Sequence, residues 1–271
     1  MRNAATDQFP VIAGPLDIAQ DLRGICTQLV LLSWGFDLQE AAPDLDLSAF
    51  LGVIVDSPAN ERIARRAGAN QIVNIPWGID IKAIEATTAI ADLSDHGIEP
   101  NETVVLSLRA HEPRYRVADI IQAFARRPRS ARLLIGNSGS LTGELRELAQ
   151  ELDVEAVFLA PVEESQVPAL LRRASVYVTA SEVDGTSVTL LQAMACNVPV
   201  VASANAGNID WVEDGVTGFL YPIGDIETLD AAIEVALSSN PEIPQNARSR
   251  VAEFANWERN IQAIQPMLQG N

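Results

Sequence analysis

Positive charge is scarce in this 271-residue chain. One lysine, Lys82, and eighteen arginines face 36 acidic residues, for a formal net charge of −17. That balance argues against a nucleic-acid partner and against strong binding to anionic membranes, since both need a basic surface. Cysteine is nearly absent: Cys26 and Cys196 lie far apart, as expected of buried thiols in a reducing compartment, with a single disulfide left open. No apolar run reaches the length of a membrane span, and the opening MRNAATDQFP lacks the basic and apolar regions of a signal peptide. A cytoplasmic location follows as the expectation. The only histidines are His96 and His111, and no His/Asp cluster has the spacing of metal ligands.

What is present is apolar sequence in a regular order. Hydrophobic residues make up 48% of the chain, enough for one large core or two modest ones. Apolar strands are predicted at 103–108, 131–135, 157–159, 176–179 and 198–202. Helical patterns cover 141–152, 163–173 and the stretch after Ser187. Short turns containing Gly or Asn join them, which predicts a parallel sheet covered on both faces.

The segment 181–202, SEVDGTSVTLLQAMACNVPVVA, says most about chemistry. It reads as a polar loop, a helix and a buried strand. Asp184 and Gly185 precede the helix, and Thr186 and Ser187 are placed to cap it, so free backbone N–H groups and the positive end of the helix dipole face the loop. A phosphate fits such a tip. Gln192 lies five residues beyond Ser187, roughly 7.5 Å along the axis, and shares a face with Thr189. A ligand with phosphate at the tip and a hydroxylated ring further along has the shape of a nucleotide. An ordinary amphipathic helix before a core strand is the plain alternative.

This segment resembles the donor-site signature of retaining glycosyltransferases of family 4 (glycosyl transferases group 1), whose pattern is a Glu, seven residues, a second Glu, then Ala-Met-Ala and Pro-Val-Val-Ala. Here Asp184 stands for the first Glu and Gln192 for the second, with AMACNVPVVA following. The resemblance implies that Asp184 contacts the donor sugar, that Gly185, Thr186, Ser187, Val188 and Thr189 hold sugar and diphosphate through their amides, and that Gln192 meets the ribose. Gln is uncharged and Asp is one methylene shorter than Glu, yet both still hydrogen-bond a hydroxyl.

Local positive charge follows the predicted strand 103–108, in Arg109-Ala110-His111-Glu112-Pro113-Arg114-Tyr115-Arg116. Ligands of α/β sheets lie beyond the carboxyl ends of strands. The stretch resembles the family's Gly-Arg-x-x-x-x-Lys turn, which implies a diphosphate grip by Arg109 and a second cation. Arg114 has the spacing for that second role, while Arg116 sits better relative to the next helix, so the alignment leaves both open and Arg116 is also expected among the donor-binding residues. Gly136 and Asn137 resemble the family's glycine loop near the nucleotide. Residues 205–220 and the helix from Trp257 through Leu268 also resemble family elements, the latter a crossover that braces the first domain. His111 is a candidate to approach the donor, and His96 a solvated linker residue.

In the N-terminal third, 29–37, 52–57 and 71–80 resemble later strands of the family's acceptor domain, with no counterpart to the earlier ones. A full domain of ~100 to 150 residues needs more chain than that. Trp34 stands where many relatives carry a His. Three or four strands would leave a sheet edge uncovered, which predicts a homodimer, or a dedicated partner, joined through residues 1–90.

The resemblance therefore implies an α/β protein of GT-B type: a partial acceptor-type domain over 1–94, a Rossmann-like nucleotide-sugar donor domain over 95–250, and a C-terminal crossover helix over 251–271. Its expected reaction is transfer of a hexose from a nucleoside-diphosphate sugar to an unknown acceptor, with retention. No metal or further cofactor is implied. Asp184, Arg109 and Arg114 are the expected catalytic group. Gln192, Trp34 and the missing earlier N-terminal strands keep open a non-catalytic nucleotide-sugar-binding subunit, and a nucleotide-sugar epimerase on the same architecture is the third reading.

Overall fold

The computed structural model describes residues 10–126 and 130–268. The chain forms two compact units. One takes the chain up to Gly78, residues 184–186 and the chain from Phe254 onward, and the other takes residues 79–183 and 187–253.

The first unit is built on β1 (Val11–Ala13), α1 (Leu16–Leu22), β2 (Leu29–Ser33), β3 (Gly52–Val55), α2 (Pro58–Arg66) and β4 (Ile72–Asn74). Its four strands are parallel and lie in chain order, β1-β2-β3-β4. Side chains alternate between the two faces of a strand. Leu29, Leu31, Val53 and Val55 join one cluster with Leu16 and Ala64, while Val30 and Ile54 pack on the opposite face with Ile264 and Met267. Helix α2 starts where the sequence allows it. Ser57 accepts a hydrogen bond from the Asn60 amide, Pro58 needs no amide partner at the first position, and Arg65 and Arg66 sit in the last turn.

The second unit runs α3 (Ile81–Ala86), β5 (Thr103–Ser107), α4 (Val117–Ala125), β6 (Ala131–Ile135), α5 (Thr142–Glu151), β7 (Ala156–Phe158), α6 (Val167–Arg173), β8 (Val176–Thr179), α7 (Val188–Ala195), β9 (Val200–Ser203), α8 (Ala206–Ile209), β10 (Phe219–Tyr221), α9 (Ile226–Leu237) and α10 (Glu242–Phe254). Its strand order is β10-β9-β8-β5-β6-β7, all parallel. From β5 the chain first winds outward through β6 and β7, then returns to place β8 on the other side. The order therefore reverses between β5 and β8, and in open α/β sheets that reversal opens a crevice at the carboxyl ends of the strands. Burial on both sheet faces explains the unbroken apolar runs. Val105, Leu133, Val176, Val178 and Val201 form one cluster with Ile120 and Phe124 of α4 and Leu229 and Ile233 of α9.

Two expected elements differ in detail, and one strand was not expected. Strand β1 has only three residues and no readable period. Residues 163–173 open with a 3₁₀ turn, Glu164–Gln166, before α6, because Pro168 fits only the first turn of an α-helix. The stretch from Trp257 is not one helix. It comprises α11 (Trp257–Asn260), a 3₁₀ segment (Ile261–Ile264) and α12 (Gln265–Leu268), with Pro266 unable to donate an amide to a continuous ladder. Of the surface expected to meet a partner, residues 1–9 lie outside the described residues.

Three tryptophans meet in the first unit. Trp34 and Trp77 stand edge-on at 4.2 Å between ring centroids, with Trp257 5.9 and 6.1 Å from them. Gly78 makes room for that contact: a Cβ there would come 2.4 Å from the Trp257 Cα and 2.5 Å from its amide nitrogen. Both are backbone atoms, so Gly78→Ala must displace chain and should cost about 1 to 3 kcal/mol. Gly24→Ala, with nothing within 4 Å, is the control. Thermal unfolding and the near-ultraviolet dichroism of the tryptophans should change in the former and not in the latter.

Candidate functional site

The loops after β5, β6 and β8 carry most of the residues singled out by sequence. Beyond β5, Arg109 lies along the Tyr115 ring, its guanidinium carbon 4.2 Å from the centroid, and donates from Nη1 to Ser187 Oγ at 2.8 Å. Thr186 and Ser187 are the residues expected to cap α7. Ser187 occupies the cap position, but its side chain makes no capping hydrogen bond and its hydroxyl accepts from Arg109. Thr186 Oγ1 is buried without a hydrogen-bond partner. The first-turn amides of α7 thus keep the polarity expected of them, with a guanidinium fixed alongside.

Arg116 behaves differently from Arg109. It adopts a left-handed conformation, φ 47°, at the start of α4 and holds Asp119 through two bonds, at 2.7 and 3.3 Å, with Glu182 at 3.9 Å. Those carboxylates hold its guanidinium above the ordinary range, chiefly through the Asp119 bond. Arg114 is half-buried, and its carbonyl accepts the Glu182 amide at 2.8 Å, which ties the arginine loop to the loop after β8.

Gly136 and Asn137 end β6. A Cβ at Gly136 would come 2.5 Å from Leu108 Cδ2, and Asn137 is left-handed at φ 85°. Loops 109–116 and 136–142 are laced together. His111 exchanges backbone bonds with Ser138 and Leu141, and Glu112 accepts from the Ser140 amide at 2.8 Å and hydroxyl at 2.6 Å. His111 itself is fully buried, its Nδ1 2.9 Å from Thr142 Oγ1 and its ring edge-on to Phe158. It serves as a clip between loops.

A cavity of about 360 Å³ opens beside α7 in this unit. Four predicted residues line it: Asn137, Val188, Thr189 and Gln192. Thr189 is anchored by a 2.7 Å hydrogen bond between its hydroxyl and that of Tyr177 on β8. Leu108, Pro161, Val162, Glu164 and Val167 complete the lining. From sequence, Leu159 ends a strand and Glu163 to Arg173 form a helix, with no site role expected for Pro161, Val162, Glu164 or Val167. Their position past the carboxyl end of β7 was the available signal.

Asp184, Gly185 and Thr186 are not on that lining. They group with the first unit, where a Cβ on Gly185 would come 2.4 Å from the Gly35 Cα and 2.6 Å from Asp56 Oδ2. Asp56 in turn accepts from the Gly35 amide at 2.9 Å and from Asn60 Nδ2 at 2.8 Å. Burial raises the Asp56 carboxyl above its ordinary range, against those hydrogen bonds. Among the described residues no group of three or more His, Cys, Asp or Glu could hold a metal, and no helix is long and apolar enough to cross a membrane.

Residues 89–255 match the family model described as glycosyl transferases group 1. The phosphatidyl-myo-inositol mannosyltransferase of Mycolicibacterium smegmatis is 31% identical over 208 residues, 70% of this chain and 52% of that protein. The structure of sucrose-phosphate synthase from Thermosynechococcus elongatus is similar at a TM-score of 0.78 and 26% identity, covering 92% of this chain and 69% of that one. Anabaena HepE, solved with UDP and glucose, is similar in fold at a TM-score of 0.74 and 20% identity, covering 90% of this chain and 72% of that one. The chain spans about half the length of the curated relatives it matches. Two parallel sheets, each flanked by helices, are the GT-B architecture expected from sequence.

Burial is the largest influence on the His111 imidazole and holds it below its ordinary value; the Gly136 backbone opposes this, Arg146 adds to it and Glu112 opposes it. The folded chain therefore binds this proton less readily than the unfolded chain. The stability associated with neutral His111 is complete above the unfolded value of about 6.5 and is lost as pH falls below it. In a ring-resonance titration by NMR, His111 should have a midpoint below 6.5. A midpoint at or above that value would contradict its burial as a neutral clip.

Proposed function

We propose, given that this chain belongs to the glycosyl transferases group 1 family, that it binds a nucleoside-diphosphate sugar in its second unit and transfers the hexose to an acceptor with retained anomeric configuration. One observation carries the reading: Arg109 is fixed on Ser187 at the start of α7, and Thr189, Gln192 and Asn137 line one cavity in the same unit. A diphosphate placed at the helix tip would receive the first-turn amides and the Arg109 guanidinium. The ribose hydroxyls would lie against Gln192.

In the proposed reaction the bond from the anomeric carbon to the diphosphate oxygen breaks with its electron pair on the diphosphate. A new bond forms from an acceptor hydroxyl on the same face of the sugar, and the proton of that hydroxyl passes to the departing diphosphate oxygen. The protein's main task is then to stabilise charge on the leaving diphosphate, the largest kind of term in such catalysis. Arg109 and Arg114, the Ser187 and Val188 amides and the helix dipole take that role. Asp184 and Gly185 orient the sugar. Arg116, already shared between Asp119 and Glu182, shapes the loop that carries the other two. HepE was solved with UDP and glucose, in keeping with such a donor.

Incubation with UDP-, GDP- and ADP-sugars, following binding, hydrolysis and product configuration together, tests the proposal. Binding with release of nucleotide and an unchanged anomer supports it. Binding without turnover supports a sugar-nucleotide-binding subunit, the reading favoured by Gln192 in place of a carboxylate, and an epimeric nucleotide sugar supports the epimerase. Arg109→Ala should weaken nucleoside-diphosphate binding by about 1.5 to 3 kcal/mol while sparing the nucleoside, because the lost contact is charge-assisted. Equal losses in calorimetry would remove Arg109 from the phosphates. Gln192→Glu should tighten nucleotide binding, since a carboxylate accepts two hydroxyl hydrogens more strongly than an amide. A 2′,3′-dideoxy nucleotide should lose that gain.

A further inference from the structure

Among the described residues, Glu164 is the one ionisable residue on the lining of the cavity beside α7. It opens the 3₁₀ turn Glu164–Gln166, which the Gln166 amide closes on the Glu163 carbonyl at 2.9 Å and which runs directly into α6. The rest of the lining divides by chemistry. Leu108, Val162 and Val167 offer apolar surface to a flat ring, and Thr189 and Gln192 offer hydroxyl and amide groups to a sugar. A carboxylate in such a place accepts hydrogen bonds and donates none.

The four common bases differ in what they can give a carboxylate. Guanine presents an N1–H and an N2 amino group side by side, two donors on one edge that match two carboxylate oxygens. Adenine and cytosine each pair one amino donor with a neighbouring ring-nitrogen acceptor. Uracil flanks its single N3–H with two carbonyl oxygens. A bidentate, charge-assisted pair is therefore available to guanine, and with each other base one carboxylate oxygen meets an acceptor.

We propose that Glu164 determines base specificity and makes this cavity a guanine site, so that the donor is a guanosine-diphosphate sugar; this rests on the donor-site reading above. Arg109 and the start of α7 hold the diphosphate, and Glu164 takes the Watson–Crick edge of the base.

Calorimetry with GDP, UDP and ADP on the full chain and on Glu164→Gln tests this. GDP should bind at least about tenfold tighter than UDP or ADP, the discrimination expected of one bidentate pair. Glu164→Gln should remove most of that preference while leaving UDP within about twofold, since an amide has one donor and one acceptor and suits uracil as well as guanine. Glu163→Gln, one residue away and off the cavity lining, should keep the preference and controls for charge alone. A wild-type preference for UDP or ADP, or a GDP preference that survives Glu164→Gln, would overturn the assignment while leaving the donor site standing. Failure of all three diphosphates to bind would overturn the donor-site reading, and this assignment with it.

Discussion

The hydrogen bond from Arg109 to Ser187 joins the loop after β5 to the start of α7, which follows β8, across the point where the strand order reverses. The parallel sheet brings these two loops together, and the bond fixes their side chains. Stacking on Tyr115 limits the freedom of the guanidinium, so less entropy is lost when it meets an anion. Ser187 accepts the Arg109 bond and makes no capping hydrogen bond of its own, so the cation and the first-turn amides meet at one helix start. Around it, Glu112, His111 and Thr142 lace the neighbouring loops, and Tyr177 anchors Thr189.

This local arrangement matters because the chain as a whole repels anions. A net charge of −17 opposes any diphosphate approaching from solution, and screening weakens that opposition only beyond a Debye length of about 8 Å at physiological salt. The sequence places three arginines within eight residues of loop. The structure uses them unequally: Arg116 is bound to Asp119, and Arg109 is held at the helix start. Three nearby charges therefore do not make a threefold site.

The residues 181–202 were legible because loop, helix and strand follow one another locally, and α7 and β9 lie where the pattern put them. Parallel strands β5, β6 and β8 were legible from their apolar runs. The left-handed backbone of Arg116 and its pairing with Asp119 were not, because no local pattern announces a positive φ at an arginine. Strand β1 was too short to show a period. The 3₁₀ turn that brings Glu164 to the cavity was hidden inside a longer helical pattern, with Pro168 as the only hint. Nor could local pattern show that Gly185 must be glycine for its packing against Gly35.

The central claim is that a nucleoside diphosphate sits at the carboxyl ends of β5, β6 and β8. Amide hydrogen exchange with and without saturating GDP or UDP measures this directly. The account predicts slowed exchange in 109–116, 136–141 and 187–192, with the largest change at the start of α7. Unchanged exchange in those three segments under saturating, calorimetrically verified binding would contradict it.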